Sequence, residues 1–160
     1  MAYTLKGYSH FPFFLCKQLV SDLSAQGSTV IKGALMMATY VPDQDDDQVF
    51  EDVSAYEITG DDVLDPEDEY PAGGLTFAGL AAGASVSVSG RVTKVDFDDA
   101  AEEDVSFGGY VLVIYDATPA DPGDQVLIAY ADFGALKASN AGTYMIQLNA
   151  AGLFTITVPA

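Results

Sequence analysis

Apolar residues recur at two different periods along the chain. Between residues 11 and 26 they fall on one side of a helix, at the spacing typical of a helix that covers a hydrophobic core. The members of this stripe are Leu15, Cys16, Leu19, Val20 and Leu23. Pro12 suits the first turn of such a helix, and Gly27 suits its end. The pattern predicts one N-terminal helix packed against a sheet.

From Ser28 onward the period shortens to two, which is typical of strands. We expect residues 104–116, "DVSFGGYVLVIYD", to form a central strand because their apolar run is the longest. The sequence "DPGD" at 121–124 predicts a type II turn that leads into the next strand. The remaining strands are expected within 28–41, 74–80, 85–97 (with a bulge at Gly90), 125–133, 142–148 and 153–158, the last two joined by a tight link at 149–152.

These segments indicate an all-β protein of one domain, a β-sandwich or open barrel of about six to eight strands. Residues 1–27 are expected to form an N-terminal arm with its helix, and residues 28–160 the β-sandwich domain. Residues 47–58, "DQVFEDVSAYEI", fit either a short helix or an irregular loop.

The charge of the chain narrows the possible partners. Its 24 Asp and Glu face 6 Lys and Arg, so the formal net charge is −18. Such a surface repels nucleic acid and anionic lipid, and no apolar run approaches the roughly 18 residues of a membrane span. We therefore expect neither a nucleic acid nor a membrane as partner. The acidic segments 43–47, 61–69 and 98–104 are expected to be exposed.

The residue types needed for catalysis are scarce. One histidine, His10, and one cysteine, Cys16, are too few for a zinc site, and nothing near His10 resembles a catalytic triad. We therefore expect a protein that is not an enzyme and has no cofactor.

Calcium is the one metal that the composition leaves open. Asp43, Asp45 and Asp47 have the alternating spacing of an EF-hand, but Gln48 stands where glycine is needed and Ser54 where glutamate is needed. A looser calcium site in the acidic segments remains the alternative to solvated loops.

Five segments in fixed order resemble a pattern found in virion structural proteins of tailed bacteriophages. They are "STVIKGALMMATYVPDQD" (28–45), "YEITG" (56–60), "YPAGGLTF" (70–77), "YVLVIYD" (110–116) and "VLIAYADF" (126–133). The likeness covers about residues 28–160 and departs from the pattern where "DDVLDPEDE" (61–69) precedes Tyr70. The resemblance implies a structural protein of the virion, without catalytic residues.

Packaged DNA would repel a subunit of this charge, so the outer capsid surface is favoured, with the role of a capsid decoration or minor capsid protein. A tail-tip or baseplate subunit is the nearest alternative within the virion. A calcium-dependent β-sandwich that binds a receptor or glycan is the alternative from another class. The expected partners are the major capsid protein or other virion proteins, and a homo-oligomer is expected.

Docking on a shell should rest on apolar contacts that survive salt. The aromatic N-terminal segment and the glycine-rich turn are the candidates, and the aromatics could equally cap the open end of the sandwich. The predicted interface residues are Tyr3, Leu5, Tyr8, Phe11, Phe13, Tyr70, Gly73 and Gly74.

Overall fold

The computed structural model describes residues 5–12, 29–58, 70–77, 87–89, 92–95, 97, 99–148 and 154–157. These residues form ten strands and one short helix that lies wholly within them, which confirms the predicted all-β class. The strands are β1 (Lys6–Gly7), β2 (Ile31–Met36), β3 (Leu75–Phe77), β4 (Ser87–Ser89), β5 (Val92–Val95), β6 (Ala100–Val105), β7 (Gly108–Asp116), β8 (Leu127–Ala138), β9 (Gly142–Ile146) and β10 (Phe154–Thr157).

The largest sheet has five antiparallel strands in the order β1-β8-β7-β2-β3. Strand β7 lies in the middle, as its long apolar run predicts, and all but one of its nine residues are buried. The remaining strands pair as β10-β5-β4 and as β6-β9.

Side chains alternate between two hydrophobic clusters on the two faces of the five-stranded sheet. On β2, Ile31 and Leu35 belong to one cluster, whereas Ala34 and Met36 belong to the other. The first, here called the sandwich cluster, also contains Ile146 and Tyr144 of β9, so β6 and β9 contribute to covering that face. A strand that is buried on both faces has an unbroken run of apolar residues rather than alternating apolar and polar residues.

The opposite face carries the tyrosine cluster, which includes Tyr8, Tyr40, Tyr115 and Tyr130. The helix α1 (Phe50–Val53) contributes Phe50 and Val53 to this cluster, and the 3-10 turn Ser54–Tyr56 comes directly after the helix. The Phe50 ring stacks on Tyr115 with 4.1 Å between centroids. The short helix thus contributes buried aromatic area to this face.

Hydrogen bonds fix α1 in place. The Asp52 side chain accepts hydrogen bonds from the N–H groups of Gln48 and Val49, both at 3.0 Å, which satisfies donors before the helix. The N–H of Phe50 donates to the carbonyl of Gln125 at 2.8 Å.

One strand prediction is wrong, and the pairing of the two C-terminal strands was not predicted. Residues 85–97 do not form one bulged strand, because β4 and β5 pair antiparallel with Ser89 opposite Val92, so the chain reverses between them. The two C-terminal strands are not paired with each other, since β9 pairs with β6 and β10 with β5. Side-chain period predicts which segments are strands but not which strands are neighbours.

Two other local predictions also need correction. Residues 121–124 do lead from β7 to β8, but Pro122–Asp124 is a 3-10 turn in which Gly123 lacks the positive φ of a type II turn. The Asp121 carboxylate stabilises it by accepting a hydrogen bond from Gly123 N–H at 3.0 Å. The acidic segment 98–104 is no loop, since it overlaps strand β6, although Glu102, Glu103 and Asp104 are exposed as expected.

Only the start of the predicted N-terminal helix falls within the described residues, where Phe11 and Pro12 are helical. Its apolar stripe and the acidic segment 61–69 lie outside them. In the described part of the chain, no helix is long and apolar enough to cross a bilayer.

Candidate functional site

The edge of β2 is shared by two different segments. Strand β3 pairs with Ile31–Gly33, and beyond it the chain at 56–58 takes over. There the N–H of Met37 donates to the carbonyl of Tyr56 at 2.8 Å, and the N–H of Ile58 donates to the carbonyl of Leu35 at 3.0 Å. The N–H of Leu35 lies at the junction, where neither segment supplies a backbone acceptor.

Tyr70 satisfies this N–H with its side chain. Its hydroxyl oxygen accepts the hydrogen bond from Leu35 N–H at 2.8 Å. Its ring packs edge-on against Phe107 at 5.2 Å between centroids. Burial raises the pKa of Tyr70 far above its ordinary value, so the hydroxyl keeps its proton at neutral pH. The proton remains available to a second partner, and that partner is Glu57.

The segment Tyr70–Gly74, here called the glycine turn, needs glycine for steric reasons. Gly73 and Gly74 have φ of +77° and +87°, and the N–H of Gly74 donates to the carbonyl of Pro71 at 2.8 Å. A Cβ on Gly74 would lie 2.2 Å from the carbonyl oxygen of Gly33. The turn is therefore pressed against β2 at a distance that only glycine allows.

Two side chains of the sheet hold the glycine turn from the side. The Tyr115 hydroxyl donates to the carbonyl of Gly73 at 2.7 Å, and the Lys32 ammonium donates to the carbonyl of Ala72 at 3.2 Å. Because Lys32 and Tyr115 are Cα partners on β2 and β7, both donors come from neighbouring positions on one face.

Glu57 is the acidic member of this arrangement. Burial raises the pKa of its carboxyl group, while the backbone of Gly73, the Tyr70 hydroxyl and the Lys32 charge act in the opposite direction. Its Oε1 atom is buried and has no hydrogen-bond partner among the described residues. The glycine turn thus closes over a carboxyl group whose hydrogen-bonding capacity is only partly used.

The acidic segment 43–47, here called the acidic turn, is stabilised mainly by its own carboxylates. Asp43 Oδ1 accepts from the N–H groups of Asp45 at 3.0 Å and Asp46 at 3.2 Å. Asp47 Oδ2 accepts from the N–H of Asp43 at 2.9 Å, and the N–H of Asp47 donates to the carbonyl of Asp43 at 3.1 Å. Asp side chains commonly stabilise turns in this way.

A chain of hydroxyl groups connects the acidic turn to the core. Tyr40 donates to Asp47 Oδ2 at 2.8 Å, and the hydroxyls of Tyr8 and Tyr40 are 2.9 Å apart. Because the Tyr40 proton is used toward Asp47, Tyr8 is the donor to Tyr40. Burial raises the pKa of both tyrosines, which keeps both protonated at neutral pH.

These carboxylates were also the calcium candidates. Asp43 and Asp47 each direct an oxygen at backbone N–H groups, and Asp45 is exposed. Within the residues that the structure describes, no three His, Cys, Asp or Glu side chains converge as a metal site would require.

The aromatic N-terminal segment packs into the protein. Strand β1 pairs with β8, Tyr8 lies in the tyrosine cluster, and Phe11 and the partly buried Leu5 pack in the sandwich cluster. Gln44 fixes this segment to the acidic turn by donating to the carbonyl of Gly7 at 2.6 Å. Tyr3 and Phe13 lie outside the described residues. Tyr8 is 2% and Phe11 6% exposed, and they pack on opposite faces of the five-stranded sheet.

An apolar groove opens at the end of the five-stranded sheet where β2 ends and β7 begins. Its volume is about 370 Å³. It is lined by Met37, Thr39, Ile58, Gly108, Tyr110 and Leu136.

The sequence did not point to the groove, to Glu57 or to Lys32. An isolated glutamate in "SAYEITG" has no local pattern that predicts its burial. The signal for the glycine turn was the "GG" pair, which the sequence offered as a docking candidate; in the structure Gly73 and Gly74 pack closely against Tyr115 and β2.

No protein-family model, curated protein or solved structure matches the chain.

Proposed function

We propose that the protein is a non-enzymatic structural component of a tailed virus particle, bound to the outer capsid surface as a decoration or minor capsid protein. The observation that carries the proposal is the ordered set of five segments that resembles phage virion proteins. A tail-tip or baseplate position remains the alternative within the particle.

The position of those segments in the fold supports the proposal. Four of them contain β2, β3, β7 and β8, which are consecutive neighbours in one sheet. The other, residues 56–60, contributes Glu57 beside the glycine turn. Segments that are far apart in sequence thus form one continuous unit, as expected of a pattern that a common fold imposes.

The charge of the chain supports an outer position. At −18, the protein is repelled by packaged DNA at any distance shorter than a few Debye lengths. A subunit on the outside avoids that cost.

The proposal is tested on particles purified by density gradient from the source of the sequence and treated with nuclease. We expect the chain to remain with intact particles after a molar salt wash, because apolar contacts survive screening. Quantitative mass spectrometry against the major capsid protein then gives the copy number, which is high for a decoration protein and low for a tail-tip subunit. A chain recovered only in the soluble fraction, with particles lacking it, would contradict the proposal.

A further inference from the structure

The Glu57 carboxyl group lies where separate segments of the chain meet at the edge of β2. The backbone of Glu57 forms a bridge with Met36 of β2. Its carboxyl group accepts hydrogen bonds from the N–H of Gly73 and from the Tyr70 hydroxyl. The same hydroxyl accepts the N–H of Leu35 at 2.8 Å. One carboxyl group thereby joins its own segment, the glycine turn and, through Tyr70, the backbone of β2.

The two oxygens of this carboxyl group have different surroundings. Oε1 is buried and has no hydrogen-bond partner among the described residues. The two donors, the N–H of Gly73 and the Tyr70 hydroxyl, therefore share the other oxygen, Oε2. Ionisation would place part of the negative charge on Oε1, where no donor from the described part of the chain stabilises it. A buried group without a partner costs more free energy when it is charged than when it is neutral.

The charged and titratable groups that act on Glu57 come from three elements. They are Lys32 on β2, Tyr70 in the glycine turn and Tyr115 on β7. Burial raises the pKa of both tyrosines far above the ordinary value, so both keep their protons at neutral pH. Burial also raises the pKa of Glu57 above 4.5, although the positive charge of Lys32 opposes the change. Glu57 is therefore the acid of this cluster that ionises as pH rises from 4.5.

The glycine turn is the part of the cluster that can separate from the sheet. Strand pairing with β2 begins only at Leu75, after the turn. Before Leu75, side chains hold the turn: the Tyr115 hydroxyl donates to the carbonyl of Gly73 at 2.7 Å, and Lys32 donates to the carbonyl of Ala72 at 3.2 Å. The carboxyl group of Glu57 is the remaining contact of this kind. A segment held by few bonds can open locally without unfolding the rest of the protein.

We propose that Glu57 makes the glycine turn a pH-sensitive clamp on the edge of β2, which is closed most tightly when the carboxyl group is neutral and opens more often once it is ionised. Opening gives the carboxylate access to water, and it separates the N–H of Leu35 from the Tyr70 hydroxyl. The inference describes a conformational device and does not depend on the virion role.

The pH dependence of this clamp has a definite sign. In the open turn the carboxyl group has its ordinary pKa of 4.5, and in the closed turn its pKa is higher. The closed turn therefore binds the proton more tightly, and acid favours it. The equilibrium constant for opening should be lowest in acid, rise up to about tenfold for each pH unit between the two pKa values, and then stay constant.

Amide hydrogen exchange measures this opening, once the intrinsic pH dependence of exchange has been corrected for. We expect the protection of the N–H groups of Leu35 and Gly74 to fall by the same factor as pH rises from 4.5. The N–H of Tyr8 is the internal control, because it donates to the carbonyl of Ile128 at the opposite edge of the sheet. Its protection should not share that fall.

Three variants separate the clamp from the charge of the whole chain. Glu57→Gln keeps an acceptor for both donors and cannot ionise, so the protection of Leu35 should stay at the acid value of the wild type at every pH. Glu51→Gln removes one negative charge at an exposed site and should keep the wild-type pH dependence at Leu35. Lys32→Met removes the nearby cation and should raise the pH at which the carboxyl carbon signal of Glu57 titrates.

Protection of Leu35 that does not change with pH, or that changes equally at Tyr8, would overturn the proposal. A pH dependence that persists in Glu57→Gln would overturn it as well. If Glu57→Gln does not fold, titration of the wild type by nuclear magnetic resonance decides the question. The amide proton of Gly73 and the carboxyl carbon of Glu57 should then titrate together, with a midpoint above 4.5. A midpoint at or below 4.5 would contradict the clamp.

Discussion

The acidic turn and the glycine turn are both prominent in the sequence, but they are stabilised in opposite ways. In the acidic turn, Asp43 and Asp47 accept hydrogen bonds mainly from N–H groups of their own segment, and Tyr40 and Gly7 add bonds to Asp47 and Gln44 from outside it. In the glycine turn, the partners come from β2, β7 and the 56–58 segment, namely Lys32, Tyr115 and Glu57. A turn whose partners are local can be recognised from a short stretch of sequence, whereas one held by distant residues is coupled to the whole fold.

The largest expected effect comes from replacing Gly74 by alanine. The new Cβ would meet the carbonyl oxygen of Gly33 at 2.2 Å, in a conformation with positive φ, so β2 and the turn must separate. We expect a loss of about 3 kcal/mol in the free energy of unfolding, measured with urea. Gly134→Ala is the control, because its φ is also positive but nothing lies within 4 Å, and it should lose only about 1 kcal/mol. Equal losses would mean that close packing of the glycine turn contributes nothing.

A smaller loss is expected for Tyr70→Phe, which keeps the ring and removes the hydroxyl. The N–H of Leu35 loses its acceptor and Glu57 loses a donor, so the free energy of unfolding should fall by about 2 kcal/mol. Amide exchange should speed up at Leu35. Tyr56→Phe, at a site 40% exposed, should stay within about 0.5 kcal/mol of the wild type. An unchanged exchange rate at Leu35 would show that the hydroxyl does not protect the β2 edge.

Glu57→Gln tests the carboxyl group at the centre of the glycine turn. Because its folded pKa is raised above the ordinary value of 4.5, the carboxyl stabilises the fold most at low pH, and this contribution is lost as pH rises through the folded pKa. The stability of Glu57→Gln relative to the wild type should therefore increase as pH rises from about 4.5. Glu51→Gln, which removes one negative charge at an exposed site, is the matched control variant. A relative stability that is flat or falls with pH would contradict the assignment.

The smallest effects are expected in the acidic turn, where water can replace lost hydrogen bonds. Asp43→Ala removes the acceptor for two N–H groups but also relieves repulsion in a chain of charge −18. We expect little change in melting temperature at low salt and a loss of about 0.5–1 kcal/mol in molar salt. Asp43→Asn keeps the acceptor and should not show that loss.

The same measurements test self-repulsion in the wild type, whose melting temperature should rise with salt. A melting temperature that is the same in low and molar sodium chloride would show that charge repulsion does not limit the stability of the fold. A rise with millimolar calcium that molar sodium cannot reproduce would identify a calcium site instead.

Sequence reasoning succeeded where structure is set by local pattern. The apolar run within 104–116 predicted a central strand because a strand buried on both faces has no polar side, but that strand begins at Gly108 and residues 104–105 belong to β6. The Asp121–Asp124 segment was correctly placed between two strands, but its type was wrong because the Asp121 side chain, rather than glycine geometry, determines the turn.

Sequence reasoning failed where the structural environment of a residue depends on a distant partner. The side-chain period continues from β4 into β5, so it gave no sign of the reversal between Ser89 and Val92. The burial of Tyr8 depends on Tyr40, which is 32 residues away. The Tyr40 hydroxyl gives the buried Tyr8 hydroxyl a hydrogen-bond partner. The groove needs the register shift opposite Tyr110, which is a property of strand pairing and not of any one segment.

The most direct test of the functional account is a cryo-electron microscopy map of the intact particle. The account predicts density for this β-sandwich on the outer capsid surface. Density confined to the tail would move the subunit to the alternative position. Density inside the shell against packaged DNA, or particles that lack the chain altogether, would contradict the account.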